Sequence, residues 1–411
     1  MRRVVVTGIG FISPIGKTND EMLENLKKGF CSVDYIKNIN TDELKVKIAC
    51  EIKNYDPLEY FSKKEIKRLD KVNEFAIIAA RKAVEDSNLD FSKYKSDRTG
   101  VIFSSGIGGI NTLEKETLNA AEKGFNKISP FFIPMVITNM SASHIAIDQN
   151  IHGHVSCPVA ACAGSSNAIL DAYRNIKDGY SDIIIAGGTE ASINRLGLSG
   201  FSSMRALCEK EDIKRASIPF DKDRSGFVMG EGAGAIILEE RESAIRRNAK
   251  IYGEIIGASI SCDAEHITAP NEEGKYVVLA MENAIKEAGI KKEEIEYINA
   301  HGTSTYLNDK VETIAIKKTF ENLENLKVSS TKSMTGHLLG ASGVIELIIT
   351  LLSMNNDFMP ANINYELEDE ECDLPIIKDT YYKKYTTAMS NSLGFGGHNV
   401  SIIVRRCYED K

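Results

Sequence analysis

The sequence contains no long run of apolar residues. None of its apolar stretches approaches the roughly 18 residues with which a helix crosses a bilayer. The opening MRRVVVTGIG offers only a short apolar run before Thr7, whereas a secretory signal needs roughly 7–15 apolar residues. We therefore expect a first β-strand here, and a cytoplasmic protein that does not act on or in a membrane.

Patterns of metal-binding and disulfide-forming cysteines are also missing. The eight cysteines form no CxxC pair and no Cys/His cluster at the spacing of zinc ligands. Disulfides do not persist in a reducing compartment, so we expect free thiols. A free cysteine is ordinarily a small buried hydrophobe, and a functional cysteine needs further evidence.

An excess of positive charge is absent. The chain has 50 Lys and Arg against 58 Asp and Glu, which gives a net charge of −8. This balance argues against nucleic acid and anionic membranes as partners. An acidic partner would have to bind a local basic patch.

Low-complexity segments and flexible linkers are likewise missing, and apolar strands alternate with amphipathic helices along the chain. This alternation is typical of α/β proteins. The predicted strands are residues 4–10, 100–106, 182–188, 234–240, 252–260, 297–303 and 400–404. The predicted helices are residues 19–28, 63–87, 165–178, 274–289, 308–320 and 341–355.

The two halves of the chain resemble each other. Residues 74–105 and residues 276–305 each read as an Ala-rich helix, a charged connection, a strand and a turn of small residues. A second pair of similar segments begins at Ala163 and Gly340. The 411 residues also exceed the roughly 250–300 at which one core stops growing. We therefore expect an internal duplication. The predicted halves are residues 1–250 and 251–411.

The segment VSCPVAACAGSSNAILDAYRNI, residues 155–176, places Cys162 between an apolar strand and an amphipathic helix. Unpaired N–H groups and the helix dipole stabilise a thiolate at such a place, so we expect a lowered thiol pKa. The same N–H groups can hold an oxyanion. The alternative is a buried structural cysteine in a tight turn, which is our interpretation of Cys157.

Three further segments combine polar groups with small residues. YINAHGTST ends a strand at His301, and a histidine in such a turn either faces a cleft or is structural. SSTKSMTGHLLGASGVIE contains His337 and Lys332, and burial of that lysine would require a carboxylate such as Glu346. In SNSLGFGGHN, glycines give backbone freedom around the bulky Phe395, the alternative being a tight hairpin with an aromatic plug.

Together these segments resemble the β-ketoacyl-ACP synthase family, and its elongating class in type II fatty acid synthesis. The ordered set is Cys162, HGTST at 301–305, KSMTGH at 332–337 and GFGG at 394–397. The resemblance extends over nearly the whole chain. It implies a thiolase-like five-layered αβαβα fold, a homodimer, and decarboxylative condensation of acyl-ACP with malonyl-ACP without a cofactor.

The resemblance also implies roles for individual residues. The implied catalytic residues are the nucleophile Cys162, the histidine pair His301 and His337, the ion pair Lys332 and Glu346, and the gating residue Phe395, whose N–H would join that of Cys162 in an oxyanion hole. The implied substrate contacts are Ile107 in the acyl pocket and Thr303 and Thr305 at the pantetheine arm. The implied carrier contacts are Lys67, Arg68, Lys127 and Arg205. A structural monovalent cation is implied at Asn299, Ala300, Glu346, Ser390 and Asn391.

A basic patch is predicted where an acidic carrier protein would dock. One face of the predicted helix 63–87 would carry Lys63, Lys64, Lys67, Arg68 and Lys71. The alternative is a solvated charged face without a partner.

Departures from the family pattern lie near the pocket: AGSSNA after the nucleophile, Tyr306 in place of Pro, and Leu393 in place of Phe. They bear on chain length and carrier choice, which the sequence leaves open. A ketosynthase of a secondary-metabolite pathway fits the same motifs. A degradative thiolase would need a second catalytic cysteine, and a chain-length factor would lack Cys162. A dinucleotide-binding loop at GIGFIS is disfavoured because Ser13 stands where its third glycine should be.

Overall fold

The computed structural model describes residues 2–407. The strands are β1 Val4–Ile12, β2 Asp34–Tyr35, β3 Ile48–Ala49, β4 Thr99–Ser105, β5 Val155–Ser156, β6 Ile183–Glu190, β7 Gly232–Glu240, β8 Gly253–Cys262, β9 Tyr297–Asn299, β10 Lys327–Ser329, β11 Phe358–Met359, β12 Tyr381–Tyr382, β13 Thr387–Gly394 and β14 His398–Arg405. The helices are α1 Asn19–Lys28, α2 Lys63–Ile66, α3 Lys71–Asp86, α4 Ile110–Lys123, α5 Phe132–Val136, α6 Met140–Gln149, α7 Gly164–Lys177, α8 Arg195–Ser203, α9 Arg241–Arg246, α10 Lys275–Ala288, α11 Tyr306–Phe320, α12 Lys332–Thr335 and α13 Ser342–Asn355. Within residues 2–407, no helix combines the length and apolarity that a membrane span requires.

One mixed sheet runs through the molecule in the order β10-β9-β13-β14-β8-β1-β7-β6-β4-β5. The sheet consists of two sets of five strands with the same topology. In each set three strands are parallel, β5-β4-β6 in the first and β10-β9-β13 in the second, and the next two strands are antiparallel. The two five-stranded sets meet where Val4 lies opposite Ile255 and Val6 opposite Gly253. This correspondence is what a duplicated chain would produce.

The helices form layers on both faces of the two strand sets. Helices α3 and α6 cover the first set, α10 and α11 cover the second, and α7 and α13 pack between the sets. The thiolase-like five-layered αβαβα fold is thereby confirmed. The boundary between residues 1–250 and 251–411 stays a prediction, and Met1 and residues 408–411 lie outside the described residues.

The central helices explain why the site forms where it does. Helix α13 is buried along residues 342–354, as a helix that is apolar on every side must be. Its N-terminus meets that of α7, because the N–H of Val344 donates to Ser165 Oγ at 3.0 Å. The hydroxyls of Ser166 and Ser392 also meet at 2.8 Å. The small residues at the start of α7 and α13 thus allow the N-termini of these two helices to lie close together.

Two predictions about secondary structure are wrong. The predicted helix 63–87 is broken, because Asp70 caps a new helix by accepting the N–H of Val72 at 3.0 Å. Lys63, Lys64, Lys67, Arg68 and Lys71 therefore do not share one helical face, and Lys71 pairs with Glu231 at 2.7 Å. Strand β13 was not predicted, although it lies between β9 and β14.

Candidate active site

A cavity of about 680 Å³ opens beside the N-terminus of α7. Seven predicted site residues line it. The catalytic and substrate-contacting residues among them are Cys162, His301, His337, Thr303, Thr305 and Phe395, and the carrier contact is Arg205. Residues that are distant in the sequence thus converge on one space.

Cys162 lies in a 3-10 turn, Ala161–Ala163, that leads directly into α7. Ala161 has a φ of +46°, which is unusual for a residue with a side chain. The second half repeats this turn at Leu339–Ala341, where Leu339 has a φ of +48°. Such strain is retained when the surrounding structure requires it, as at functional sites.

The expected lowering of the Cys162 pKa is wrong for the free protein. The side chain is only 8% exposed, and burial raises the pKa of the thiol to about 12. The charge of Lys332 and the backbone N–H groups of Phe395 and Cys162 act in the opposite direction. Cys162 is therefore a protonated thiol at neutral pH in the free protein.

The backbone N–H groups of Cys162 and Phe395 both lie near enough to the Cys162 sulfur to lower the pKa of its thiol. This geometry depends on Gly394, because a Cβ atom there would lie 2.7 Å from the oxygen of Ala160 and 3.2 Å from the nitrogen of Cys162. The close approach brings the loop that carries Phe395 against the cysteine turn. A pair of converging N–H groups is what an oxyanion hole needs.

The rings of His301 and His337 lie edge to face, with centroids 5.4 Å apart. Burial lowers the pKa of both imidazoles well below the ordinary value, and the positive charge of Lys332 lowers each further. Both rings are therefore neutral at physiological pH, and each carries one N–H.

Hydrogen bonds fix which nitrogen carries that proton. Nδ1 of His337 accepts the backbone N–H of Leu339 at 3.3 Å and lies 2.8 Å from Ser342 Oγ. Nδ1 of His301 lies 3.3 Å from Nζ of Lys332, which can only donate. Both protons are thereby assigned to Nε2, so the cavity is lined by two imidazole N–H donors.

Lys332 is buried beneath the cavity and is held by three acceptors. Its ammonium group pairs with the carboxylate of Glu346 and donates to the carbonyl oxygen of His301 at 2.5 Å. Burial raises the pKa of Glu346 to about 7, and Lys332 opposes that rise. The predicted ion pair is present and contacts His301 directly.

The residues predicted to hold a monovalent cation fit an oxygen-lined site. Glu346 Oε2 and Ser390 Oγ are buried without a hydrogen-bond partner. Ser390 lies opposite Asn299 in the sheet, and Nδ2 of Asn299 donates to the Glu346 carbonyl oxygen at 3.2 Å. Asn391 is less available, because its side-chain oxygen already accepts from Ser401 at 2.8 Å. A cation held by Glu346 and Ser390 would offset buried negative charge.

The remaining predicted contacts lie around the cavity. Thr303 and Thr305 bond to each other through their hydroxyls at 2.8 Å. Ile107 is not in the cavity lining but packs in the same apolar cluster as Cys162. Lys67, Arg68 and Lys127 are exposed outside the cavity lining, and the guanidinium of Arg68 lies 4.8 Å from the centre of the Phe131 ring.

Sequence reasoning missed several buried acidic groups around the site. Glu312 accepts the N–H groups of His301 and Gly302 at 2.8 and 2.7 Å, which fixes the histidine turn. Glu190 accepts N–H groups from loops on both sides of Cys162. For Glu190 the available signal was an acidic residue after a run of small residues, in GGTE, whereas DKVE gives no such signal for Glu312.

Comparison with known proteins decides the family. The model described as "Beta-ketoacyl synthase, N-terminal domain" matches residues 1–244, and the model of its C-terminal domain matches residues 252–366. The chain belongs to the β-ketoacyl synthase family. It is 45% identical over 408 residues to a 3-oxoacyl-[acyl-carrier-protein] synthase 2 of Synechocystis sp., with 98% of both chains covered.

Other members of the β-ketoacyl synthase family support this placement. A 3-oxoacyl-[acyl-carrier-protein] synthase 2 of Staphylococcus aureus is 45% identical over 407 residues and 98% of both chains. A solved β-ketoacyl synthase from Burkholderia phymatum has a TM-score of 0.92 at 30% identity, covering 99% of this chain and 100% of its own. A type II polyketide ketosynthase solved with its acyl-carrier protein has the same TM-score, identity and coverage.

Proposed function

We propose that this β-ketoacyl synthase elongates fatty acids by condensing an acyl group held on Cys162 with malonyl-ACP. The observation that carries the proposal is the convergence of one thiol and two neutral imidazole donors in a single cavity. The curated relatives at 45% identity are named for this activity. The polyketide ketosynthase, which represents the alternative pathway, is 30% identical.

In the first stage, the Cys162 sulfur attacks the thioester carbonyl of acyl-ACP. The N–H groups of Cys162 and Phe395 hold the negative oxygen of the tetrahedral intermediate. The bond between the acyl carbon and the carrier's sulfur then breaks, and the thiol proton of Cys162 leaves with that sulfur. An acyl-Cys162 thioester and free carrier remain.

In the second stage, malonyl-ACP loses carbon dioxide, and the electron pair of the broken bond forms an enolate. Its oxygen accepts the Nε2–H groups of His301 and His337, each contributing about 10²–10³-fold to the rate. The enolate carbon attacks the acyl-Cys162 carbonyl, and the carbon–sulfur bond breaks. The released Cys162 sulfur takes up a proton from solvent, and β-ketoacyl-ACP departs.

We propose that the protein forms a homodimer. Strand β5 is an edge strand with Val155 exposed, and Ile133 in α5, Ile137 just after α5 and Ile147 in α6 are exposed nearby. Exposed apolar residues beside an open sheet edge fit a second copy of this chain. The mass in solution, measured by light scattering, should be twice the chain mass. A cytoplasmic location stays a prediction.

The function is tested by incubating the purified protein with a panel of acyl-ACPs and malonyl-ACP and measuring products by mass spectrometry. We expect a single extension by two carbons with release of carbon dioxide. Cys162→Ala should abolish the product, whereas the matched variant Cys157→Ser should retain it. A product that survives Cys162→Ala, or the absence of any ketoacyl product, would contradict the proposal. Repeated extension would favour the secondary-metabolite pathway.

A further inference from the structure

Glu190 is a fully buried carboxylate at the end of β6, and the condensation mechanism assigns it no role. Burial raises its pKa to about 7, and hydrogen bonds from backbone N–H groups favour its ionised form. Its charge also reaches the Cys162 thiol, whose pKa it helps to raise. Burying a carboxylate that is held mainly by N–H groups lowers the stability of the fold. Its presence at this place therefore calls for a role.

The two carboxylate oxygens hold two loops that come from different halves of the chain. Oε2 accepts the N–H of Gly106 at 2.9 Å and the N–H of Gly340 at 3.1 Å. Oε1 accepts the N–H of Ile107 at 3.3 Å. A single oxygen therefore joins the loop that follows β4 to the turn that follows His337.

These two loops leave little room for independent movement. A Cβ atom on Gly340 would lie 2.5 Å from the nitrogen of Gly106 and 2.9 Å from Glu190 Oε2. A Cβ atom on Gly106 would lie 2.6 Å from the same oxygen. The two backbones thus close directly on the carboxylate, and a displacement of one loop reaches the other.

Each loop also lies beside a residue of the proposed reaction, either His337 or Cys162. Leu339, adjacent to Gly340, donates its N–H to Nδ1 of His337 at 3.3 Å. Ile107 and Leu339 pack in one apolar cluster with Cys162. The carboxylate of Glu190 therefore lies where the apolar cluster around Cys162 and the backbone that supports His337 meet.

We propose that Glu190 is a positioning residue that couples the loop at Gly106 and Ile107, which packs against the apolar cluster around Cys162, to the His337 loop at Gly340. Through this link, the apolar surroundings of the acylated cysteine and the histidine that supports decarboxylation are held in one fixed relation. This inference rests on the condensation proposed above. A purely structural carboxylate would change only the amount of folded protein.

The test uses two variants of the full-length protein. Glu190→Gln keeps the size of the side chain but cannot accept all three N–H groups, and Glu190→Asp keeps the charge but cannot reach both loops. We measure Cys162 acylation by short and long acyl-ACPs, and carbon dioxide release from malonyl-ACP, each per folded enzyme. We expect the ratio of the two acylation rates to change and kcat for decarboxylation to fall, each by roughly 10–100-fold, with an unchanged KM for malonyl-ACP.

Glu239→Gln is the matched control, because Glu239 is equally buried but bonds to Thr7, Ser243 and Arg247, away from the cavity. It should lower the melting temperature and leave the acylation ratio and decarboxylation unchanged.

The acylation ratio does not depend on how much enzyme is folded, so either Glu190 variant decides the question if the other does not fold. An unchanged ratio with normal decarboxylation overturns the inference. A change in only one of the two readouts also overturns the coupling. A wild-type protein that makes no ketoacyl product overturns the proposed function instead.

Discussion

Nζ of Lys332 lies 3.3 Å from Nδ1 of His301 and 2.5 Å from the His301 carbonyl oxygen. An ammonium group only donates, so this contact keeps Nδ1 of His301 unprotonated and leaves the ring proton on Nε2. Lys332 therefore determines the tautomer of a histidine that it also keeps neutral. The buried ion pair of Lys332 and Glu346 therefore acts on the proposed reaction through Nδ1 of His301.

Replacing Lys332 with Met should abolish decarboxylation while leaving Cys162 able to accept an acyl group slowly. Without the ammonium group, Nδ1 of His301 loses its donor, and about 10²–10³-fold of enolate stabilisation is lost. Glu346 is left buried without its ammonium partner, which destabilises the fold by about 3–5 kcal/mol. Carbon dioxide release, acyl-enzyme mass and a denaturant melt measure the three effects.

The control is the double variant Lys332→Met with Glu346→Gln. Neutralising the carboxylate should recover most of the lost stability but none of the decarboxylation. Recovery of carbon dioxide release in the double variant would show that Lys332 acts only by supporting the fold.

The histidine pair should remain neutral as the pH falls from 8 to 6. Burial and Lys332 place the pKa values of His301 and His337 well below the ordinary value, so the folded protein does not protonate them in this range. Nitrogen-15 NMR of histidine-labelled protein should show two Nε2–H tautomers throughout.

Lys332→Met provides the comparison for this titration, because removing a positive charge raises the pKa of His301. His301 should then take up a proton at a higher pH than in the wild-type protein, although its burial still lowers the pKa. A charged His301 in the wild-type protein at pH 7 would contradict the assignment of two neutral donors.

The sequence predicted most of the fold because apolar strands alternate with amphipathic helices. Strand β13 is one of the elements that were missed, since its residues TAMSNSLG are small and polar and resemble a loop. It forms a strand because β9 and β14 supply hydrogen bonds on both sides. The break in the helix before Lys71 was also not predicted. Asp70 caps the new helix and also accepts the N–H of Thr112 at 2.8 Å, and this second contact joins residues that are distant in the sequence.

Residues that line the cavity, such as Cys162, His301 and His337, could be singled out from the sequence because each lies in a short segment of distinctive composition. The environment of Cys162 could not be predicted in this way. Its helix N-terminus favours a thiolate, but burial, which depends on the whole fold, dominates and raises the pKa to about 12. Glu190 was missed for a similar reason, because its partners lie 84 and 150 residues away in the sequence.

Charge reversal of the carrier surface should weaken the encounter with an acidic carrier protein. Lys67 and Arg68 are exposed in the connection between α2 and α3. We expect Lys67→Glu with Arg68→Glu to raise the KM for acyl-ACP by roughly 10-fold, less at high salt, and to spare an acyl-CoA surrogate.

Lys63→Glu with Lys64→Glu is the matched control for that surface. It changes the net charge equally on exposed residues of the same predicted basic patch that the family resemblance does not assign to the carrier. Equal effects of the two double variants would mean that the patch as a whole or the overall charge matters, and not Lys67 and Arg68 in particular. An unchanged KM for acyl-ACP in the first would remove Lys67 and Arg68 from the docking surface.

Phe395 should control which acyl chains reach Cys162. Its ring is partly exposed, lines the cavity and lies 6.4 Å from the ring of Phe201. Gly396 and Gly397 follow with φ values of +88° and +76°, which other residues rarely adopt. The loop can therefore change conformation at the glycines while Gly394 stays packed against the cysteine turn.

Phe395→Ala separates a gate from a structural plug. A gate predicts a changed ratio of acylation rates between short and long acyl-ACPs, with a loss of less than about 2 kcal/mol of stability because the ring is only partly buried. Phe75→Ala, at a fully buried ring in the core, calibrates the loss of about 3–5 kcal/mol that a plug would give. Rapid-quench acylation and denaturant melts on both variants provide the comparison. If Phe395→Ala kept the wild-type acylation ratio and lost as much stability as Phe75→Ala, the ring would be a plug, and access to Cys162 would have to be controlled elsewhere.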